Sequence, residues 1–464
     1  MNNNNYKTLL DEYNFLSNSL NNIFKTTDDD IKKLLIKNGI KTRNNKISFS
    51  DIILYKFLYA YKNNSKQYII SKFNYDNNKL IDRTTYHKKD IMIPDTFYKS
   101  LFYKIRDLYN DNFKSNDYNL IAVDGTYNNT NVNNIKGKLE TSLNMGFYNI
   151  NECIPIDITF CNQENKNKEI LQLKKYISND NLKHLNNIIL VLDRAYYSFE
   201  LINFLDIHKF NYVIRIKNNC TLIKNKDLIK NKIKNYKNIR IITYKDTIDL
   251  IKKDDDNNNV KLKQIIECNI ITNLNNEKYN SDEIKKIYLS RWSIEVFFKL
   301  LKSNFKFSNL KEHHKNKTIN EYNKLYYSIL IIIYIGLMID KINDKYNKLI
   351  DKKQLGKKKK NKYNIKTNRS LLINGVELIL NQIIKGTLNK NDLLNVSKSF
   401  LIRVNVIKDV YNPRISKTPH SKWYVQSYAE HYRYLAIIKA LKSKDLSLLN
   451  KNLKLLALQI QIIK

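Results

Sequence analysis

Ile188-Ile189-Leu190-Val191-Leu192-Asp193-Arg194 is apolar at five consecutive positions and then ends in a carboxylate. A strand with one wet face alternates polar and apolar residues, whereas a run apolar on both faces marks a strand covered on each side. Helical spacing follows from Phe199 to His208, and Tyr212 to Lys217 reads as a further strand. Upstream, a helix is expected from about Lys168 to Ile177, and Leu120 to Val123, Leu143 to Tyr148 and Cys153 to Phe160 read as three consecutive strands. Three strands, a helix, a strand, a helix and a strand predict an α/β fold with a mixed-sheet core.

The flanks read differently. From Tyr6 to about Asn116 apolar residues recur at helical spacing, as in Ile52, Ile53, Tyr55, Phe57, Leu58 and Tyr61. Within that region Asp82 to Lys89 either precedes or sits on a DNA-contacting helix, or is a solvated loop. Between about Asn218 and Glu283, Ile239 to Tyr244 and Lys261 to Asn273 predict a mostly β insertion around the acidic loop Asp254 to Asp256. Beyond Ser281 the pattern is helical again, interrupted by the lysine cluster Lys352 to Lys362 and by Asn412 to Pro419, and no repeat of fixed period occurs. The expected domains are therefore a helical one over 1–116, an α/β one over 117–345 and a helical, basic region over 346–464.

With 464 residues, 42% of them hydrophobic and 11% aromatic, the chain has the composition of a globular protein of several domains. The 81 Lys and Arg against 44 Asp and Glu leave a formal charge of +37, which points to a polyanionic partner even after discounting the Lys- and Asn-rich usage of an AT-rich genome. Cys153, Cys161, Cys220 and Cys268 form no C-x-x-C pair, so neither a zinc site nor a disulfide framework is expected. The start, Met1 to Tyr6, carries no apolar leader, and the apolar run Tyr327 to Met338 is too short to span a bilayer. The reading is a soluble intracellular protein with no membrane partner, cytoplasmic, or nuclear in a eukaryotic host.

Asp124 and Asp193 both follow apolar strands that the element order makes neighbours. Two carboxylates in a partly desolvated place raise each other's pKa unless a cation neutralises them, so the pair predicts a Mg²⁺ or Mn²⁺ site. A third carboxylate lies in Tyr288-x2-Arg291-x3-Glu295-x6-Lys302. At about 100° per residue these four fall near roughly 0°, −60°, −20° and −40° on a helical wheel, one narrow face. Leu289, Ile294, Val296, Phe297, Leu300 and Leu301 make the remaining faces apolar, so the stripe is not the ordinary solvent side. Three carboxylates bind two divalent ions for in-line displacement at a phosphodiester, with arginine and lysine holding phosphates. The plain alternative is that Glu295 pairs with Arg291 and Lys299 as ordinary helix neighbours, worth roughly 0.2–0.5 kcal/mol each.

The Y-x2-R-x3-E-x6-K spacing resembles the signature of the insertion-sequence-four type of DDE transposases. Val123-Asp124-Gly125-Thr126 is similar to that family's first-aspartate motif, and Leu192-Asp193-Arg194-Ala195-Tyr196-Tyr197 to its second, with Ala195 where the family usually has glycine. Ile271-Thr272-Asn273-Leu274 and Tyr288 to Glu295 look like its approach to the glutamate, and weaker echoes lie at Ser48 to Ile52 and Pro413-Arg414. The resemblance implies a ribonuclease-H-like catalytic core and Asp124, Asp193 and Glu295 as catalytic ligands of two Mg²⁺ or Mn²⁺ ions. It implies Tyr288, Arg291 and Lys302 as contacts to double-stranded DNA, the N-terminal helices as a DNA-binding domain, and a homodimer on DNA that pairs two terminal repeats. It further implies an aromatic from the insertion under a flipped base, for which Tyr244 is the large candidate.

Other features are weaker. Trp292 is expected to pack, with a DNA contact as the alternative, and His313-His314 lack ligand partners at metal spacing. Lys357 to Lys360 suit a phosphate grip, a nuclear-entry signal in a eukaryotic host or a solvated linker, Arg403 to Arg414 and Lys422 to Arg433 are basic enough to touch phosphates, and the apolar stripe Leu449, Leu453, Leu456 and Ile460 suits either packing or self-association. The rival functions are a ribonuclease-H-like nuclease or resolvase that cuts without joining strands, and a DNA-binding protein retired from catalysis.

Overall fold

The computed structural model describes residues 3–405 apart from 41–46, 77–79, 115–117, 131–139, 162–168, 219, 221–232, 234–237, 254–258, 308, 311–317 and 355–362. His313-His314, the acidic loop at 254–256, Lys357 to Lys360 and the basic and apolar segments beyond residue 405 therefore lie outside the described residues. The chain forms two units: residues 1–248 with 265–408, and residues 249–264 with 409–464.

In the larger unit the strands are β1 (Asn119–Thr130), β2 (Glu140–Asn149), β3 (Ile154–Cys161), β4 (Ile188–Leu192), β5 (Asn211–Ile216), β6 (Arg240–Lys253), β7 (Asn259–Thr272) and the short β8 (Asn309–Leu310). The distal ends of β6 and β7 fall in the smaller unit. They order as β3-β2-β1-β4-β5-β7-β6, with β8 against the far end of β1. β1, β2 and β3 run antiparallel, whereas β4 and β5 run parallel to β1. This is the expected mixed-sheet α/β core. The insertion strands extend the same sheet, because β7 pairs antiparallel with β5 from Val213↔Thr272 to Ile216↔Asn269.

Among the described residues six helices precede the sheet: α1 (Asn3–Lys25), α2 (Thr27–Lys37), α3 (Phe49–Ala60), α4 (Lys66–Asp76), α5 (Arg83–Met92) and α6 (Asp95–Phe113). α3 starts where it does because Ser48 and Asp51 form a reciprocal capping box that satisfies two orphan backbone donors. Asp82 to Lys89 is no loop: Asp82 caps α5, Tyr86 is buried, and Lys89 donates to the Ile47 carbonyl beside the Phe49 ring. Only part of that basic stretch remains available to a phosphate.

Within the core follow α7 (Glu169–Ser178), α8 (Phe199–Ile207), α9 (Ser281–Ser290), α10 (Ser293–Asn304) and the long α11 (Thr318–Gln354). Alternation along β2 separates the layers. Gly146 and Tyr148 face α10, with Tyr148 stacked on Phe297 at 5.2 Å, while Phe147 faces α7, stacked on Tyr176 at 3.8 Å. A Cβ at Gly146 would stand 2.7 Å from the Phe298 ring, so glycine there lets α10 settle directly on the sheet. The expected helical end also contains a two-stranded sheet, β9 (Tyr363–Thr367) with β10 (Leu401–Asn405), around α12 (Arg369–Gly375), α13 (Leu380–Lys385) and α14 (Lys390–Ser399).

α11 is long and apolar enough to cross a bilayer by composition, yet 89% of its most apolar window is buried, against α6, α3, α1 and β3. Its Tyr326 hydroxyl donates to Asn144 Oδ1 of β2 at 2.6 Å. At its N-terminal turn four charges are buried together. Lys56 Nζ of α3 lies 2.6 Å from Asp90 of α5 and 2.8 Å from Glu321, and Lys324 Nζ lies 2.6 Å from Glu321, with the Lys56 and Lys324 side chains only 4% and 2% exposed. Burial pushes the Glu321 pKa up, but the two ammonium groups outweigh it and hold the carboxyl at about 2.

Because that pKa is depressed, the stabilisation is complete above the ordinary value of 4.5 and is lost as pH falls towards about 2. Urea unfolding should show the wild type losing stability across that window and Glu321→Gln much flatter there. At pH 7 the variant should be less stable by about 3–5 kcal/mol, because two buried ammonium groups are left with one carboxylate.

Candidate active site

The last paired residues of the parallel strands β1 and β4 are Val123 and Leu192, so Asp124 and Asp193 are the next residues of adjacent chains. β1 itself continues to Thr130, so Asp124 lies within a strand and at the end only of its pairing with β4. Asp124 pairs with Gly146 and therefore shares the face on which α10 sits. Asp193 Oδ1 accepts the Ala195 amide at 2.7 Å and caps the short 3-10 turn Arg194–Tyr196. Ala195 is not among the described residues of positive φ, so this turn does not require the glycine usual in the resembled family.

The third carboxylate, Glu295, lies in the first turn of α10, just past its joint with α9. The sequence predicts one helix through Tyr288 and Lys302, whereas α9 ends at Ser290 and α10 begins at Ser293. Arg291 and Trp292 keep right-handed helical dihedrals across the joint, so the wheel phase largely survives. Arg291 Nη1 lies 3.3 Å from Asp124 Oδ2, and its Nη2 lies 2.9 Å from Glu295 Oε1. The ordinary helix-neighbour pair is thus present, and the same guanidinium also reaches across to the sheet. All three side chains are largely shielded: 13% exposed for Arg291, 22% for Asp124 and 29% for Glu295.

Burial raises the Asp124 pKa; Arg291 and the Gly125 amide pull it down, and Asp193 and Glu295 add to the rise. A fourth carboxylate was not singled out from the sequence: Glu169, the first residue of α7, whose pKa is also raised by burial, against a lowering by Tyr196, and by the charges of Asp124 and Asp193. The available signal was Gly125. A glycine next to a strand aspartate marks a close approach, and what approaches is the Glu169 carboxyl.

Tyr288 is buried, 8% exposed, beside the guanidinium groups of both Arg215 and Arg291 and the Tyr244 phenol. Lys302 is half-buried, about 10 Å further along α10 than Glu295 at 1.5 Å per residue. Tyr244 is half-buried with Lys285 Nζ 4.8 Å over its ring. Trp292 does not pack as expected but is 52% exposed, because it stands at the α9–α10 joint away from the sheet, with Lys299 Nζ 5.9 Å over its ring. Leu289 and Val296 are exposed too, so α9 and α10 are less enclosed than their apolar sequence suggests.

Mg²⁺ and Mn²⁺ take hard oxygen ligands, and repelling, partly desolvated carboxylates fit such an ion in donor type and in charge. Among the described residues no three carboxylates yet converge to ligating distance, and Arg291 serves as the shared counter-charge of Asp124 and Glu295.

Residues 116–328 match the family model described as a transposase DDE domain, and that stretch contains all four carboxylates. Among solved structures the chain is similar to the piggyBac transposase in a cryo-EM synaptic complex with hairpin DNA, at 9% identity and a TM-score of 0.37, covering 89% of this chain and 86% of that one. No curated protein matches the sequence.

Because the raised Asp124 pKa means its charged form is disfavoured by folding, the penalty is present above the folded pKa and absent below the ordinary 3.8. Asp124→Asn should therefore unfold at higher urea than wild type at pH 7, and the difference should close as pH falls below 4, a stability gained at a site arranged for something other than stability.

Proposed function

We propose that this chain is a DNA transposase of the DDE kind, of the insertion-sequence-four type, which binds the ends of an element, hydrolyses a phosphodiester at each end and joins the 3′-hydroxyls to target DNA. The observation that carries this reading is that Arg291 joins the carboxylates of Asp124 on β1 and Glu295 on α10, with Asp193 following β4 where its pairing with β1 ends, inside the stretch matching a transposase DDE domain.

Asp124, Asp193 and Glu295 are the residues that would hold two divalent ions. When bound, such ions supply Lewis-acid polarisation of the scissile phosphodiester and activation of water or a 3′-hydroxyl as nucleophile. Arg291 presents a planar fork to a phosphate and exchanges part of its carboxylate contact for it. Lys302, further along the same helix, acts as a point charge on a neighbouring phosphate. Tyr288 steadies Arg291 and offers only a narrow edge to DNA, in keeping with its burial. The formal charge of +37 supports the polyanionic partner, and pairing two ends calls for a homodimer on DNA.

With Mg²⁺ and labelled element ends, Glu295→Gln should cut more than about 100-fold more slowly, beyond the 10- to 100-fold typical of losing an outer-shell partner. Cutting at the wild-type rate would remove Glu295 from the site. Arg291→Ala should bind ends more weakly, with the slope of log K against log salt reduced by about 1, as loss of a phosphate contact requires. A strand-transfer assay on the same protein separates a transposase, which joins ends to a plasmid, from a nuclease, which leaves them free.

A further inference from the structure

We propose that Glu169 is a fourth acidic ligand of the Asp124–Asp193–Glu295 site, helping to hold a divalent cation; this rests on the reading of the site given above. Gly125 follows Asp124 and faces the opposite side of β1, the side of α7. A Cβ at Gly125 would overlap Oε1 of Glu169 and stand 2.8 Å from its Cδ. The carboxyl therefore lies in the notch that the missing side chain leaves, against the backbone that carries Asp124.

Its other neighbour is Tyr196, which belongs to the turn capped by Asp193. Tyr196 is fully buried, and its hydroxyl approaches Glu169 without closing a hydrogen bond of good geometry, so a buried polar atom is left pointing at the carboxyl. Glu169 is thus held between the strand of the first aspartate and the turn of the second. Among the described residues no lysine or arginine forms an ion pair with it, since Arg291 is committed to Asp124 and Glu295.

A half-buried anion beside two others, with no basic partner among the described residues, either stays protonated or takes a cation. Charge favours the cation. Four carboxylates offset by one guanidinium leave three negative charges, which two divalent ions together with one phosphodiester neutralise; three carboxylates leave that assembly positive. Oxygen donors of this kind suit Mg²⁺ or Mn²⁺.

Mn²⁺ binding to the full chain without DNA, followed by the electron paramagnetic resonance of the free ion, tests this directly. Glu169→Gln should weaken Mn²⁺ binding by roughly 10- to 100-fold, and the Mg²⁺ concentration for half-maximal end cleavage should rise by a similar factor, a shift that a purely structural role would not produce. If Glu169→Gln binds Mn²⁺ and requires Mg²⁺ as the wild type does while Asp124→Asn is impaired, the inference fails and the reading of the site stands. If Asp124→Asn and Glu295→Gln also bind Mn²⁺ unchanged, that reading fails and the inference with it. Should Glu169→Gln not fold, Glu169→Asp decides, because it keeps the charge and withdraws it by one methylene: weakened Mn²⁺ binding supports the inference, and wild-type affinity overturns it.

Discussion

Parallel pairing of β1 with β4 stops at Val123 and Leu192, and it forces two carboxylates into adjacent positions on one end of the sheet. Nothing in the sheet itself can relieve that. The backbone offers Asp124 and Asp193 one amide each, from Gly125 and Ala195, and the rest of the compensation comes from elements laid on the sheet. α10 reaches it because Gly146 lets Phe298 rest against β2, and that contact sets the height at which Arg291 meets Asp124. The site is therefore a tension between strand pairing, which brings like charges together, and helix packing, which delivers the opposite one.

The same chain resolves a second concentration of charge in another way. At the start of α11, Lys56, Asp90, Glu321 and Lys324 lie deeper than Asp124 and Glu295, yet two cations match two anions at short distance. Such a balanced cluster is costly to break and serves to fix register between α3, α5 and α11 rather than to bind anything. The acidic end of the sheet is unbalanced by comparison, with four carboxylates and one guanidinium. A balanced buried network reads as architecture, and an unbalanced, partly open one as a place meant to be completed by a ligand.

Much of this was legible from residue pattern. The five-residue apolar run before Asp193 is β4 over the expected residues, and the neighbouring of β1 and β4 followed from element order. The wheel phase of Tyr288, Arg291 and Glu295 was readable because their helical dihedrals persist through the joint. What pattern could not supply was contact between distant segments. Glu169 begins an unremarkable helix 45 residues after Asp124, and only the notch at Gly125 relates them. Trp292 looked like a core residue because composition says nothing about which side of a joint faces the sheet. β9 and β10 escaped notice because Asn364, Lys366 and Arg403 give short strands a polar appearance, and the pairing partner lies some forty residues away.

The first described helix is finished by the last described ones. α1 packs on α11, α13 and α14, Tyr13 donates to Asn343 at 2.6 Å, and Asn21 holds both the amide and the carbonyl of Leu388. On a ribosome, which releases residues in order, the apolar stripe of Tyr13, Leu16, Leu20 and Phe24 must wait for nearly four hundred residues of synthesis before it is covered. Contacts of such long sequence separation slow folding, so the nascent protein passes through a prolonged phase in which chaperone capture and aggregation compete with closure. The yield of folded protein in a cell is therefore set at α1 as much as at the central sheet.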